Sequence, residues 1–344
     1  MLRHSSDSEP GISRKRLGRS WAYFDSDGRR ITDRDEIERL NAVGLPPAYT
    51  DAWFCADANG HLQATGIDAR GRKQYRYHAL FRANQDEAKF EGLLEFGKRL
   101  PRLRRRVERD LKRRNLTRET VLAAVVRLLD TTYIRVGNEE YAKENKSFGA
   151  TTLRGRHLKR SGHKLVMRFS GKGGTVHEVN ITDTNLKRIV KRCDELPGQM
   201  LFQYINGDGG PQPVTSGDVN DYIRQATGGD FTAKHFRTWS ASAIAFEQLL
   251  KKAEGDSRIS IATVIEPVAE ALGNTPAISR KSYVHPSLLE AVKARPRDPL
   301  LGMERPPARK RLSSAEVGLL EFLARSGRRR RNRKRVAAEK QAAA

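Results

Sequence analysis

The hydrophobic period of the chain changes once, near residue 86, and that switch limits the folds open to it. Before it, from Trp21 to Tyr77, apolar residues come in short runs broken by turn signals: Asp27-Gly28, Asn59-Gly60 and Ala69-Arg70-Gly71. Leu45-Pro46-Pro47 makes a rigid extended break, and residues 52–56, 61–66 and 73–77 predict three strands of one sheet. From Glu87 the spacing becomes helical. Thr117 is placed as an N-cap with Glu119 in the first turn, and Val121, Leu122, Val125, Val126, Leu128 and Leu129 then recur at three- and four-residue spacing. Residues 163–182 return to strands, as a hairpin around the turn Gly171-Lys172-Gly173-Gly174. Further helices are expected over 183–193, 216–226 and 238–253, and after the Thr275-Pro276 cap until Pro286 stops the chain beyond Tyr283. The fold class is therefore α+β. A small β-rich domain spans 20–85, and a larger, mainly α-helical domain containing the β-hairpin spans 86–300. A disordered basic lead covers 1–19, and a basic, largely disordered tail covers 301–344, with one more helix expected near 312–324.

Charge narrows the partners. The 344 residues hold 65 Lys and Arg against 41 Asp and Glu, a net of +24. Residues 301–344 carry thirteen basic and four acidic residues, a net of +9, which leaves +15 for the rest of the chain. From Lys98 to Arg114 there are ten basic and two acidic residues. Density of this kind, repeated in several segments, suits a polyanion, and nucleic acid fits better than a membrane because no basic amphipathic helix has aromatics on its apolar side. A solvated helix face remains the plain alternative for the run at 98–114. The longest apolar run, Val121 to Val126, cannot span a bilayer, and the first twenty residues contain no apolar segment of a secretory signal. Cys55 and Cys193 supply neither a disulfide framework nor a metal cluster and fit a reducing, cytoplasmic compartment. Asp25, Asp27 and Gly28 echo a calcium loop, but the later ligands are missing and a β-turn is the better reading.

Four polar residues stand in positions that packing alone explains poorly. Arg135 lies between Ile134 and Val136, where burial demands an anion, as a salt bridge or as a bound phosphate. Arg237 recurs in similar company within Lys234-His235-Phe236-Arg237-Thr238-Trp239. Lys172 at the hairpin tip is either an exposed lysine on a flexible turn or part of a phosphate cradle without Walker spacing. Tyr283, in Lys281-Ser282-Tyr283-Val284-His285-Pro286, is either packing or a nucleophile.

Their order and context resemble the type IB DNA topoisomerases, in particular the small bacterial and poxvirus-like members. The matching segments are Ile134-Arg135-Val136-Gly137-Asn138-Glu139-Glu140-Tyr141, Phe169-Ser170-Gly171-Lys172-Gly173, 234–239, and Leu272-Gly273-Asn274-Thr275-Pro276 running into Ser282-Tyr283. The segment from Gly66 to His78 is equally family-like, and the resemblance covers roughly residues 20–300. It implies that the helical domain is catalytic and that Tyr283 attacks a DNA phosphodiester, forming a 3′-phosphotyrosyl link and expelling a 5′-hydroxyl. It implies relaxation of positive and negative supercoils with no ATP, metal or cofactor. Arg135 and Arg237 then hold the non-bridging oxygens, Lys172 is the general acid and Lys234 a supporting cation. Gln74, Tyr75, Tyr77 and Tyr141 become DNA-contact candidates, with Tyr75 and Tyr77 on one face of their strand and Gln74 on the other. The same resemblance implies a monomer that clamps DNA and works on the nucleoid.

Asn274 stands where many relatives carry histidine; it offers a neutral hydrogen bond to the phosphate in place of a charge. His285 is placed as a bystander beside Pro286. Two other readings compete. A tyrosine recombinase shares the Arg, Lys, Arg and Tyr set, but has a histidine where Lys234 stands and lacks a β-rich N-terminal domain. A non-enzymatic DNA-compacting protein explains the charge but not the ordered set.

Overall fold

The structure is a computed structural model that describes residues 2–18, 20–162, 164–254, 259–294 and 305–342. The chain divides into two compact units, Met1–Lys89 and Phe90–Ala344.

The N-terminal unit is one antiparallel sheet with a helix. Its elements are β1 (Ile12–Leu17), β2 (Ser20–Phe24), α1 (Arg34–Ala42), β3 (Thr50–Phe54), β4 (Leu62–Ile67) and β5 (Lys73–Tyr77), with strand order β2-β1-β3-β4-β5. Asp33 caps α1 by accepting from the Asp35 and Glu36 N–H groups. Ile12, Tyr23, Leu40, Leu45, Phe54 and Ala64 form the core, with Tyr23 edge-on to Phe54 at 5.3 Å. Asp25 Oδ1 accepts from Asp27 and Arg29 N–H, so the calcium echo is a side-chain-braced turn.

The expected disordered lead over 1–19 is corrected. Residues 12–17 are β1, paired with β2 on one side and β3 on the other. Ile12 supplies the buried side chain, and the Arg14 guanidinium donates to the Leu45 and Pro46 carbonyls while lying 4.8 Å from the Trp21 ring centre. Ser5 is also buried, bonded to the backbone of Leu62.

The long helix α2 (Ala79–Leu111) leads into the second unit. There follow α3 (Arg118–Thr132), α4 (Glu139–Asn145), the three-stranded sheet β6 (Leu158–Ser161), β7 (Lys164–Ser170) and β8 (Val176–Asn180), and α5 (Thr184–Asp194). A two-stranded ribbon of β9 (Gln203–Ile205) and β10 (Pro211–Pro213) precedes α6 (Ser216–Thr227), α7 (Ala233–Glu254), α8 (Ile261–Leu272), α9 (Pro276–Ser282), α10 (Pro286–Lys293) and α11 (Ser314–Ala342). The apolar stripe of α3 is buried from Val121 to Leu129 apart from Arg127, and it packs with α5, α6 and α7 in one continuous core. Among the described residues, no helix is long and apolar enough to cross a membrane.

Two corrections concern the charged segments. The first half of α11 is part of the core. Val317, Leu319, Phe322 and Leu323 are buried, as is Leu312 just before the helix, and Phe322 lies 5.7 Å from Phe246 of α7. The largely disordered tail expected over 301–344 therefore loses this stretch to the folded unit; residues 301–304 and 343–344 lie outside the described residues. The basic run at 98–114 is also not one solvated face. Arg104 pairs with Asp130 and Glu316, each contact at 2.8 Å, and Arg106, Arg109 and Arg113 gather round the fully buried Asp110, which also accepts from the Tyr222 hydroxyl at 2.9 Å. Glu316 further accepts from the indole N–H of Trp239. Burial pushes the Glu316 carboxyl up, but the bonds and charge of Arg104 outweigh it and hold the group below its ordinary value. Both cysteines are free and buried, and burial pushes the Cys193 thiol up to about 12.

Candidate active site

The site is assembled from helix ends and one hairpin tip. Helix α3 stops at Tyr133, whose left-handed backbone (φ 58°) turns the chain into the extended stretch Ile134-Arg135-Val136. Ile134 is buried, while the Arg135 and Val136 carbonyls accept from Ala150 and Thr151 N–H at 2.8 and 2.7 Å. The stretch is thus clamped on both sides, and Arg135 projects from it into a cavity of about 350 Å³.

Helix α7 begins at Ala233, and Lys234 and Arg237, three residues apart, share one face of its first turns. Both line the cavity, Lys234 exposed and Arg237 only 4% exposed. Arg237 donates to the Tyr133 carbonyl through Nη1 and to the Leu272 carbonyl through Nη2 (3.1 Å). Two helix C-terminal carbonyls therefore orient this guanidinium, an arrangement that favours a cation.

Helix α8 ends at Leu272 with Gly273 as a left-handed cap, and Thr275 caps α9 with Pro276 in its first turn. Asn274 sits between the two helices. Its Oδ1 accepts from Arg135 Nη2 at 3.0 Å, which leaves Nδ2 buried with no hydrogen-bond partner. A buried amide donor without a partner costs about 1–3 kcal/mol unless something completes it. Tyr283 closes α9 as its C-terminal cap, and its ring centre lies 4.9 Å from the Arg237 guanidinium carbon. Burial raises the phenol, but the charges of Arg237 and Arg135 outweigh that and bring it below its ordinary value of 10.0.

The hairpin of β7 and β8 carries Lys172 in a single tight turn, Lys172–Gly174, as the sequence predicts. Lys172 is exposed, and its Nζ lies 5.9 Å from the Tyr141 ring centre. The cavity thus brings together Arg135, Lys172, Lys234, Arg237, Tyr283 and Tyr141, with Asn274 joined through Arg135. Arg135 and Tyr283 are separated by 148 positions, so no local packing rule accounts for the meeting.

Gln74, Tyr75 and Tyr77 lie in the N-terminal unit, on β5. Tyr75 and Tyr77 are 46% and 38% exposed and stack at 6.2 Å, so they share a face as predicted, and Tyr77 also lies 5.5 Å from the Phe81 ring. Gln74 lies on the other face and donates to Asp68 Oδ2 at 3.0 Å. His285 faces away from the chemistry. Its Nδ1 accepts from Ser287 N–H at the start of α10, its ring lies 5.4 Å from Phe90, and burial pushes it down to about 4. His235 bonds to Thr232 and stacks on Phe96 at 5.5 Å.

Sequence reasoning missed Ser147 and Phe148, which line the cavity from a loop without periodicity, tied to β7 by the Phe148 N–H to Ser170 carbonyl bond. It also missed His177 of β8, whose titration feels both Arg237 and Arg135. Among the described residues, no group of three or more His, Cys, Asp or Glu is placed to hold a metal ion.

Residues 78–298 match the family described as eukaryotic DNA topoisomerase I, catalytic core, and residues 20–68 match the bacterial DNA topoisomerase IB N-terminal domain. The chain is 33% identical over 299 residues to DNA topoisomerase 1B of Acanthamoeba polyphaga mimivirus, covering 83% of this chain and 88% of the viral protein. It is 25% identical over 296 residues to DNA topoisomerase 1B of vaccinia virus (strain Copenhagen), covering 79% and 90%. With the catalytic-core match spanning well over half of its length, the chain belongs to the type IB DNA topoisomerases.

Proposed function

We propose that this chain relaxes positive and negative supercoils by transient cleavage of one strand of double-stranded DNA, with the chemistry carried by Tyr283, Arg135, Arg237, Lys172 and Asn274. The observation that carries the reading is the convergence of Tyr283, Arg135, Arg237, Lys172 and Lys234 on one cavity, with the Tyr283 ring centre 4.9 Å from the Arg237 guanidinium carbon. An ordinary tyrosine ionises near 10 and is a weak nucleophile at neutral pH. Arg135 and Arg237 favour the phenolate and supply the electrostatics that a pentacoordinate phosphorus needs.

In the forward step Tyr283 Oη attacks phosphorus, the P–O5′ bond breaks, and a 3′-phosphotyrosyl ester forms. The departing 5′-oxygen takes a proton from Lys172, leaving a 5′-hydroxyl. One phosphoester replaces another, so rejoining is the same step reversed and no ATP is consumed. The two guanidiniums hold the non-bridging oxygens, Asn274 Nδ2 donates a neutral hydrogen bond to one of them, and Lys234 adds charge at the rim. A guanidinium fixed by carbonyls needs no reorganisation as charge builds on phosphorus.

Tyr75, Tyr77, Gln74 and Tyr141 are the DNA-contact residues of this reading. The protein acts as a monomer that clamps the duplex, in the cytoplasm on the nucleoid, and needs no cofactor or metal. The exposed Arg328 and Arg329 of α11 begin the basic cluster that adds sequence-independent affinity. The test is a duplex labelled on the 3′-phosphate side of a nick-trapping site. Wild type should retain label on the protein after denaturation, through Tyr283; label on no protein, or on Tyr283→Phe, contradicts the proposal. A recombinase is separated by the same substrate in pairs, since it exchanges strands between two duplexes whereas a topoisomerase rejoins its own.

A further inference from the structure

We infer that His177 is a positioning residue that seats the Lys172 hairpin against the turn carrying Asn274, an inference that rests on the proposed chemistry of Lys172. The imidazole is wedged between two glycines that each precede a site residue. A Cβ on Gly171 would lie 2.6 Å from its Cδ2 and Nε2, and a Cβ on Gly273 would lie 2.9 Å from its Cε1. Lys172 follows the first glycine and Asn274 the second. One edge of the ring therefore touches the hairpin tip and the other touches the cap of α8. The ring is fixed in that slot by Phe169, its cross-strand partner, stacked at 5.2 Å and 23°.

The hairpin tip needs such a seat. Gly173 and Gly174 have φ near +80°, a glycine conformation that does little to hold a lysine in place. Gly171 N–H bonds the Thr175 carbonyl at 2.8 Å, which closes the tip but sets no distance to the phosphate site. The ring does, because it fills the gap between backbone segments on both sides and a filled gap transmits position. Burial, then the charges of Arg237 and Arg135, hold this imidazole below its ordinary value. General acid catalysis depends on reach within hydrogen-bonding distance, so a loosened hairpin lowers the rate without removing the acid.

The test compares two duplexes that differ at one atom. One has the natural 5′-oxygen at the scissile phosphate and the other has 5′-bridging sulfur, whose thiolate leaves without protonation because thiols ionise near 8.5. His177→Ala should slow single-turnover cleavage of the oxygen duplex by about 10²-fold, within the range for loss of a general acid, and cleave the sulfur duplex at close to the wild-type rate. Lys172→Ala provides the reference for that pattern. His177→Phe, which keeps a flat ring in the slot, should retain most of the oxygen rate. Gly171→Ala should copy His177→Ala, since its backbone (φ −92°) admits alanine while the new methyl displaces the ring. Equal slowing of both duplexes by His177→Ala would overturn the inference and place the ring among phosphate contacts or general scaffolding. Failure of Lys172→Ala to recover on sulfur would overturn the general-acid reading itself, and this inference with it.

Discussion

The cavity around Tyr283 and the face of β5 both present aromatic side chains beside cations, yet they are built in opposite ways. In the cavity, Arg237 is buried and tied to two carbonyls, Asn274 is turned by Arg135, and Tyr283 is half-buried with its phenol lowered. On β5, Tyr75 and Tyr77 lie open to solvent, with Lys73 Nζ 5.9 Å from the Tyr75 ring centre. Preorganised charge suits a transition state, because the cost of aligning the groups is met when the protein folds. Open aromatic and basic groups suit a surface that must accept many sequences and release them. Under the proposed function, the chain separates the two tasks by burial rather than by residue type.

Several substitutions would break or sharpen that division. The largest effect should come from Tyr283→Phe, which removes the proposed nucleophile. Strand cleavage should fall by roughly 10⁴-fold or more, as for loss of a covalent nucleophile, with DNA affinity unchanged in a filter-binding assay. A matching loss of affinity would show that the cavity also does the work assigned to the open face.

Glu316→Gln tests whether the C-terminal helix belongs to the cavity's scaffold. It breaks a buried ion pair and weakens the Trp239 bond, and thermal or urea unfolding should show a loss of about 3 kcal/mol. The carboxyl is held below its ordinary value in the folded state, so its contribution is complete above the unfolded pKa near 4.3 and fades as pH falls through the lower folded value. The variant should therefore show a flatter stability curve in acid than wild type. An unchanged unfolding midpoint would detach α11 from the core.

Arg237→Ala should lower the cleavage rate about 10²–10³-fold, the range for removing one preorganised donor to a developing anion. In wild type the rate should climb with pH and level off below pH 10, because the attacking phenolate is favoured by Arg237 and Arg135. In the variant the plateau should move to higher pH. A plateau that stays in place would remove Arg237 from the activation of Tyr283.

Asn274→His should keep or raise the cleavage rate, since a protonated imidazole donates with charge where the amide donates without it. A large loss would mean that Asn274 serves Arg135 rather than the phosphate. The smallest effect is expected from Tyr75→Ala with Tyr77→Ala, a weakening of binding by less than about tenfold with the salt slope of affinity kept, because neither side chain neutralises a phosphate. A change in the cleavage step itself would overturn the separation.

How far the sequence foretold this structure depends on how far each residue's partners lie along the chain. The hairpin with Lys172 at its tip, the α3 stripe and the Thr275 cap are local patterns, and all three were legible. Helix α7 begins at Ala233, five residues before the expected start at Thr238, because Lys234 and Arg237 point into the cavity and interrupt the apolar period. Strand β1 was hidden since Ser13-Arg14-Lys15-Arg16 has no alternation; it is held by pairing on both edges and by Arg14 across Trp21. The core role of α11 was invisible because Glu316 finds Arg104 at a separation of 212 positions and Trp239 at 77. Within the site, the four residues picked out by motif do converge, whereas the orientation of Asn274 by Arg135 and the wedge made by His177 arise only when distant turns meet.

We propose that Tyr283, activated by two arginines, cleaves and rejoins one DNA strand without metal or nucleotide. The most direct measurement is relaxation of supercoiled plasmid in EDTA without ATP, by wild type and by Tyr283→Phe side by side. Wild type should relax plasmids of both signs, and the variant should relax neither while still binding them. Relaxation by Tyr283→Phe, or binding without relaxation by wild type, would contradict it.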